Sequence, residues 1–160
     1  MSVASDPLDK IMDWERAKRW RENVKGRVAF TNGVFDLLHR GHINVLLGAR
    51  RQGDALIVGV NSDDSVRRLK GPDRPVRIAP ERCYVLAALA MVDAVVVFDQ
   101  DTPLELITEL RPDVLVKGGD YSESSIVGAR DVRAWGGTVA IIPLTPGHST
   151  TSTIERLRGH

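Results

Sequence analysis

Apolar positions change their period along the chain. Near the start, Leu8, Ile11, Trp14 and Trp20 recur among charges at roughly helical spacing. Pro7 behind a possible Asp6 cap suits a helix opening. The pattern predicts an N-terminal helical extension within residues 1–25, closed by Gly26. Short apolar runs then alternate with amphipathic stretches. Strands are predicted over 28–31, 55–60, 94–98, 113–116 and 138–142. Helices are predicted over 41–51, from Ser62 and Asp63 to near Gly71, over 81–91, 103–110 and 126–135, and after Ser149. The run 55–60 is apolar throughout, as in a strand covered on both faces. Five such strands separated by helices predict an α/β fold: a Rossmann-like, doubly wound, five-stranded parallel sheet with helices on both faces. The expected organisation is a single domain over 1–160.

Ligands of such sheets bind beyond the carboxyl ends of the strands. The loops after Thr31, Val60, Val116 and Ile142 are therefore where chemistry is sought. Composition narrows the classes. Lys plus Arg number 22 and Asp plus Glu 21, and the basic residues form no tail, so no nucleic-acid partner is expected. No apolar run approaches the roughly 20 residues of a membrane span, and no signal pattern opens the chain. Cys83 is the sole cysteine, which excludes an internal disulfide. The cytoplasm is the expected location.

Four stretches carry candidate chemistry. Thr31-Asn32-Gly33-Val34-Phe35-Asp36 leads into His39-Arg40-Gly41-His42. Two histidines three apart share a face of one helical turn. Gly41 removes a side chain, so a phosphate can approach the backbone, and the free N–H groups of a helix start add donors. A histidine pair also fits zinc, but no third ligand stands nearby, so no protein-bound metal is expected. Gly147-His148-Ser149-Thr150-Thr151 offers hydroxyls at a second helix start, where an ordinary cap is the simpler use. Lys117-Gly118-Gly119-Asp120 ends a strand with two glycines that admit a flat ligand, or a plain turn. Lys70 and Arg74 flank a Gly/Pro loop suited to a substrate phosphate. Arg82, near a helix start, is a weaker candidate, and Cys83 reads as a small buried apolar residue.

The strand followed by Gly33-Val34-Phe35-Asp36 and His39-Arg40-Gly41-His42 resembles the cytidylyltransferase-like superfamily. Class I aminoacyl-tRNA synthetases share the histidine motif but carry a Lys-Met-Ser-Lys-Ser-like loop, which is missing here. Together with 61–72, 116–121 and 147–151, the chain over about 27–158 is similar to the adenylyltransferases that make ADP-heptose from D-glycero-D-manno-heptose 1-phosphate for bacterial surface glycans such as lipopolysaccharide. Val34 stands where a cysteine is common in that family, and Arg77 where an asparagine is common. Cytidylyltransferases of the group carry an arginine shortly before the Ser-Thr-Thr loop. Pro143-Leu144-Thr145 lacks it, which points away from CTP.

The resemblance implies transfer of AMP from ATP to a heptose 1-phosphate. His39, His42 and Lys70 would be catalytic. Thr31, Asn32, Gly33, Val34, Phe35, Gly41, Lys117, Gly118, Asp120, Gly147, Ser149, Thr150 and Thr151 would join the histidines in binding the nucleotide. Asp36, Asn61, Lys70, Arg74 and Arg82 would bind the acceptor. Mg²⁺ would bridge the triphosphate, because few carboxylates are available for a cage. A homodimer is implied by the resemblance alone. Glycerol 3-phosphate, phosphopantetheine or a flavin as acceptor, or a non-catalytic nucleotide-binding module, remain the alternatives.

Overall fold

The computed structural model describes residues 4–159. Asp6 caps a single 3₁₀ turn, Pro7–Lys10, and a two-residue strand β1 (Ile11–Met12) follows. Asp13 then caps helix α1 (Trp14–Asn23). Onwards the elements are β2 (Val28–Gly33), α2 (Arg40–Arg50), β3 (Ala55–Asn61), α3 (Asp63–Lys70), α4 (Ala79–Ala87) and β4 (Ala94–Phe98). They close with α5 (Leu104–Leu110), β5 (Val114–Gly118), α6 (Ala129–Ala134), β6 (Thr138–Ile142) and α7 (Thr150–Leu157). Among the described residues no helix is long and apolar enough to cross a membrane.

All strand pairs are parallel, in the order β1-β4-β3-β2-β5-β6. The sheet thus has six strands rather than the predicted five. The extra strand lies inside the stretch read as helix: Ile11 and Met12 pair with Val95 and Val96 and cover the β4 edge. Helix 81–91 is also shorter than predicted and ends at Ala87. The predicted helix 126–135 begins only at Ala129, because Gly128 adopts φ 85.

Alternation along the strands sorts the core onto two faces. Val28, Phe30, Ile57 and Val96 pack on one side with Ala17 of α1, Leu106 and Leu110 of α5 and Val132 of α6. Ala29, Leu56, Val58 and Val95 pack on the other with Leu46 of α2 and Cys83 and Leu86 of α4. Every residue of β3 is buried, as its unbroken apolar run requires. An aspartate immediately precedes each of β3, β4 and β5 and accepts an N–H at or just before the start of a neighbouring strand: Asp54 from Arg27, Asp93 from Leu56, Asp113 from Val28. These bonds hold the strand starts level at the amino end of the sheet.

The chain winds from β2 towards β3 and β4, then crosses back to β5 and β6. The direction reverses between β2 and β5. Their pairing ends at Phe30 with Leu115, although the strands run on to Gly33 and Gly118. A crevice opens at that switch point, where ligands of doubly wound sheets bind.

Candidate active site

The crevice is a cleft of about 750 Å³. β2 delivers Thr31, Asn32 and Gly33 to its floor. A Cβ on Gly33 would lie 3.1 Å from the Phe35 ring, so glycine lets the chain fold back on itself. Phe35 takes a left-handed φ of 50, unusual for a bulky residue, and its buried ring meets His42 edge-on at 5.4 Å. The strained turn brings the chain back to start α2 at the cleft.

His39 is the N-cap of α2, and His42 stands three residues on. Nδ1 of His39 accepts the Gly41 N–H at 3.0 Å. Nδ1 of His42 accepts the His39 N–H at 3.3 Å. The exchange is a capping box built from imidazoles. With both Nδ1 atoms accepting, each neutral ring carries its proton on Nε2. The rings stack 3.8 Å apart at 22°. Burial first, then the neighbouring His39, lowers the His42 pKa to about 4. Burial and then His148 lower that of His39 as well. Near neutral pH the pair is therefore two uncharged Nε2–H donors on one wall of the cleft. Gly41 also serves this arrangement: a Cβ there would lie 2.8 Å from Cε1 of His39. The missing side chain makes room for the imidazole ring.

β5 brings Lys117 and Gly118 to the cleft. Burial lowers the Lys117 pKa, and its Nζ lies 5.3 Å from the Tyr121 ring centroid. A Cβ on Gly118 would come within 2.5 Å of Val45 Cγ2. Glycine at this position lets α2 lie close against β5. The start of α7 adds Ser149, Thr150 and Thr151. Ser149 caps the helix, and the Thr150 hydroxyl donates to the Leu37 carbonyl at 3.1 Å, fastening α7 to the histidine loop.

Lys70, at the end of α3, and Arg74 line the same cleft, as do Val34, Asp36 and Asn61. Asp36 is committed to the protein. Its side chain is fully buried and accepts from Arg74 Nε at 2.8 Å and from the Val76 and Arg77 amides. Burial pushes its pKa up, but the Arg77 and Val76 amides and the Arg74 guanidinium outweigh that and hold it below the usual carboxylate range. These internal bonds engage both carboxylate oxygens of a residue that also lines the cleft. Arg82 is likewise bonded within the protein. It lies outside the cleft with its side chain fully buried, and it donates to the carbonyls of Arg77, Val34 and Asn61 and to Asp63. Asp120 and Gly147 also lie outside the lining.

Sequence reading overlooked the loop after β4. Asp101, Thr102 and Pro103 line the cleft, and the carboxyl-end rule applied to Phe98 as much as to Val60. It also gave no role to His148, which lines the cleft with its ring 6.0 Å from that of His39. The signal there was adjacency to Ser149. Among the described residues, no group of three or more His, Cys, Asp or Glu side chains is placed to hold a metal ion.

The model of the family described as cytidylyltransferase-like matches residues 30–156. The chain is 57% identical over 144 residues to the bifunctional protein HldE of Acidiphilium cryptum, covering 90% of this chain and 29% of that protein. To the protein of the same name from Koribacter versatilis it is 58% identical over 146 residues, 91% of this chain and 29% of the relative. The chain thus spans somewhat under a third of the length of these relatives. Among solved structures, the lipopolysaccharide core biosynthesis protein of Thermoplasma volcanium superposes with a TM-score of 0.62 at 28% identity, covering 76% of this chain and 98% of that one. A pantoate-β-alanine ligase of Francisella tularensis shares the fold at 14% identity and a TM-score of 0.59, covering 85% of this chain and 68% of that one. The family match embraces the whole cleft from the end of β2 to α7, and the chain belongs to the cytidylyltransferase-like family.

Proposed function

We propose that the chain is a single nucleotidyltransferase unit that moves AMP from ATP to a heptose 1-phosphate, giving ADP-heptose and pyrophosphate. The observation that carries this reading is the pair of neutral Nε2–H donors on the same cleft as Lys70 and Arg74. Uncharged donors at one station and cations at another suit a reaction that brings two phosphates together.

An oxygen of the acceptor phosphate attacks the α-phosphorus, and the bond from that phosphorus to the β-bridging oxygen breaks. The electron pair leaves on pyrophosphate. A phosphate monoester has its second pKa at about 6, so the nucleophile is already a dianion at neutral pH and needs no general base. Catalysis then consists of in-line placement and stabilisation of developing charge. His39 and His42 donate to the oxygens that gain charge. Lys117 and the hydroxyls of Ser149 and Thr151 at the start of α7 bind the nucleotide phosphates. Lys70 and Arg74 hold the acceptor phosphate. Among the described residues no carboxylate cage is formed, so Mg²⁺ would enter as part of the nucleotide substrate and neutralise its phosphates.

ATP is favoured over CTP by Leu144 in the segment where cytidylyltransferases of the group carry arginine. The heptose acceptor is supported by the sequence resemblance. A coupled pyrophosphate assay with ATP and a panel of heptose 1-phosphate, glucose 1-phosphate, glycerol 3-phosphate and phosphopantetheine tests both substrates. Heptose 1-phosphate should give the highest kcat/KM, and Lys70→Ala should raise its KM. A higher kcat/KM with glycerol 3-phosphate or phosphopantetheine removes the heptose assignment. Faster turnover with CTP removes the adenylyl one.

A further inference from the structure

The densest set of buried polar contacts outside the histidine wall lies behind the loop that joins α3 to α4. Four backbone groups of this loop and of the first turn of α4 are gripped. The Val76 amide donates to both Asp36 carboxylate oxygens, at 3.0 and 2.9 Å, and the Arg77 amide donates to Oδ1 at 2.9 Å. The Arg77 carbonyl accepts from Arg82 Nε at 2.9 Å. The Ala79 amide donates to Asp63 Oδ1 at 2.9 Å, and Arg82 donates to the same oxygen at 2.8 Å. One residue, Arg77, is therefore held at its N–H by a buried anion and at its carbonyl by a buried cation, which fixes the peptide units on both sides of it.

The other hydrogen bonds of these side chains tie the loop to residues that line the cleft. Arg82 donates to the carbonyl of Val34, which follows β2, and to that of Asn61, which ends β3, both at 2.8 Å. Asp36 takes Arg74 Nε at 2.8 Å, with the Arg74 side chain 12% exposed. Asp63 opens α3, whose last residue is Lys70. Burying charges to fasten a surface loop contributes little net stability. It does remove conformational freedom from the segment that carries Arg74 and follows Lys70.

We infer that Asp36 and Arg82 are positioning residues that clamp the 74–79 segment to the ends of β2 and β3, holding Arg74 and Lys70 in one geometry and thereby setting affinity for the acceptor phosphate. This rests on the acceptor reading above. It replaces direct acceptor contact by Asp36 and Arg82 with placement of the residues that make it.

The test is Asp36→Asn in the full chain, with hydrogen exchange followed over 74–79 and kinetic constants measured for both substrates. Asparagine turns one carboxylate oxygen into an NH₂ facing donors. Losing a hydrogen bond to a charged group corresponds to about tenfold or more. Exchange over 74–79 should accelerate at least about tenfold, and acceptor KM should rise by a similar factor. The KM for ATP should stay within about twofold, a split that general loosening of the fold would not produce. Asp63→Asn, at a partly exposed site, should move both readouts the same way by less. Unchanged exchange overturns the clamp. Faster exchange with unchanged acceptor KM overturns its role in positioning. If the wild-type chain turns over no acceptor, the function reading fails, and the clamp is judged by exchange alone.

Discussion

Replacing His42 with asparagine separates its two tasks. His42 Nδ1 accepts the His39 N–H and helps cap α2, while Nε2–H faces the cleft. Asparagine Oδ1 can take the Nδ1 position, but the side chain is too short to place a donor at Nε2. The cap survives and the cleft donor is lost. Removing one donor aimed at developing charge costs about 10²–10³ in turnover. His42→Asn should therefore fall by that factor with its melting temperature nearly unchanged. His42→Ala should lose the same turnover and the cap too, about 1 kcal/mol, or roughly 2–4 °C in a chain of this size. His42→Gln reaches towards Nε2 and should recover part of the turnover. Single-turnover pyrophosphate release at saturating substrates, with thermal melts in parallel, measures all three. Turnover of His42→Asn within about tenfold of wild type would refute the donor role.

Three further outcomes follow from the geometry. The unfolded His42 ring has the ordinary pKa of 6.5 and the folded one about 4, so the unfolded chain binds a proton between these values that the folded chain refuses. The stability that His42 contributes is whole above pH 6.5 and is lost as pH falls towards 4; an NMR titration should find the ring as the Nε2–H tautomer with a midpoint near 4, against one at or above 6.5 if the ring were solvated. Gly118→Ala should destabilise by about 1–3 kcal/mol in denaturant titrations, because its Cβ would meet Val45 Cγ2 at 2.5 Å, and Val45→Ala should relieve part of that. Thr150→Val removes the hydroxyl bond to the Leu37 carbonyl and should weaken ATP binding about fivefold by calorimetry, the equivalent of one hydrogen bond of about 1 kcal/mol.

Much of the fold was legible because buried parallel strands are short unbroken apolar runs, as in β3, and their neighbours carry helical periodicity. What failed has local causes. A two-residue strand such as Ile11–Met12 is too short to show alternation, and it lies between a capped turn and a capped helix whose apolar positions continue the same rhythm. Asp13 before Trp14 was the available sign of a fresh start. Gly128 was likewise a legible breaker within 126–135. At the cleft, the motif residues lay at strand ends and helix starts, where the fold rule finds them. The internal partners of Asp36 and Arg82 were not legible, because a sequence shows a charge but not the carbonyls and amides that gather around it. That convergence exists only once β2, β3 and the loop before α4 are brought together.

In the proposed reaction the acceptor phosphate attacks the α-phosphorus of ATP and pyrophosphate departs. Oxygen tracing tests it most directly. Heptose 1-phosphate labelled with ¹⁸O in its phosphate is incubated with unlabelled ATP and Mg²⁺, and the products are read by mass spectrometry and ³¹P NMR. The account predicts ADP-heptose retaining all the label, including the bridging oxygen, with unlabelled pyrophosphate in equal amount. Label in pyrophosphate, or release of ADP or orthophosphate in place of pyrophosphate, would contradict it.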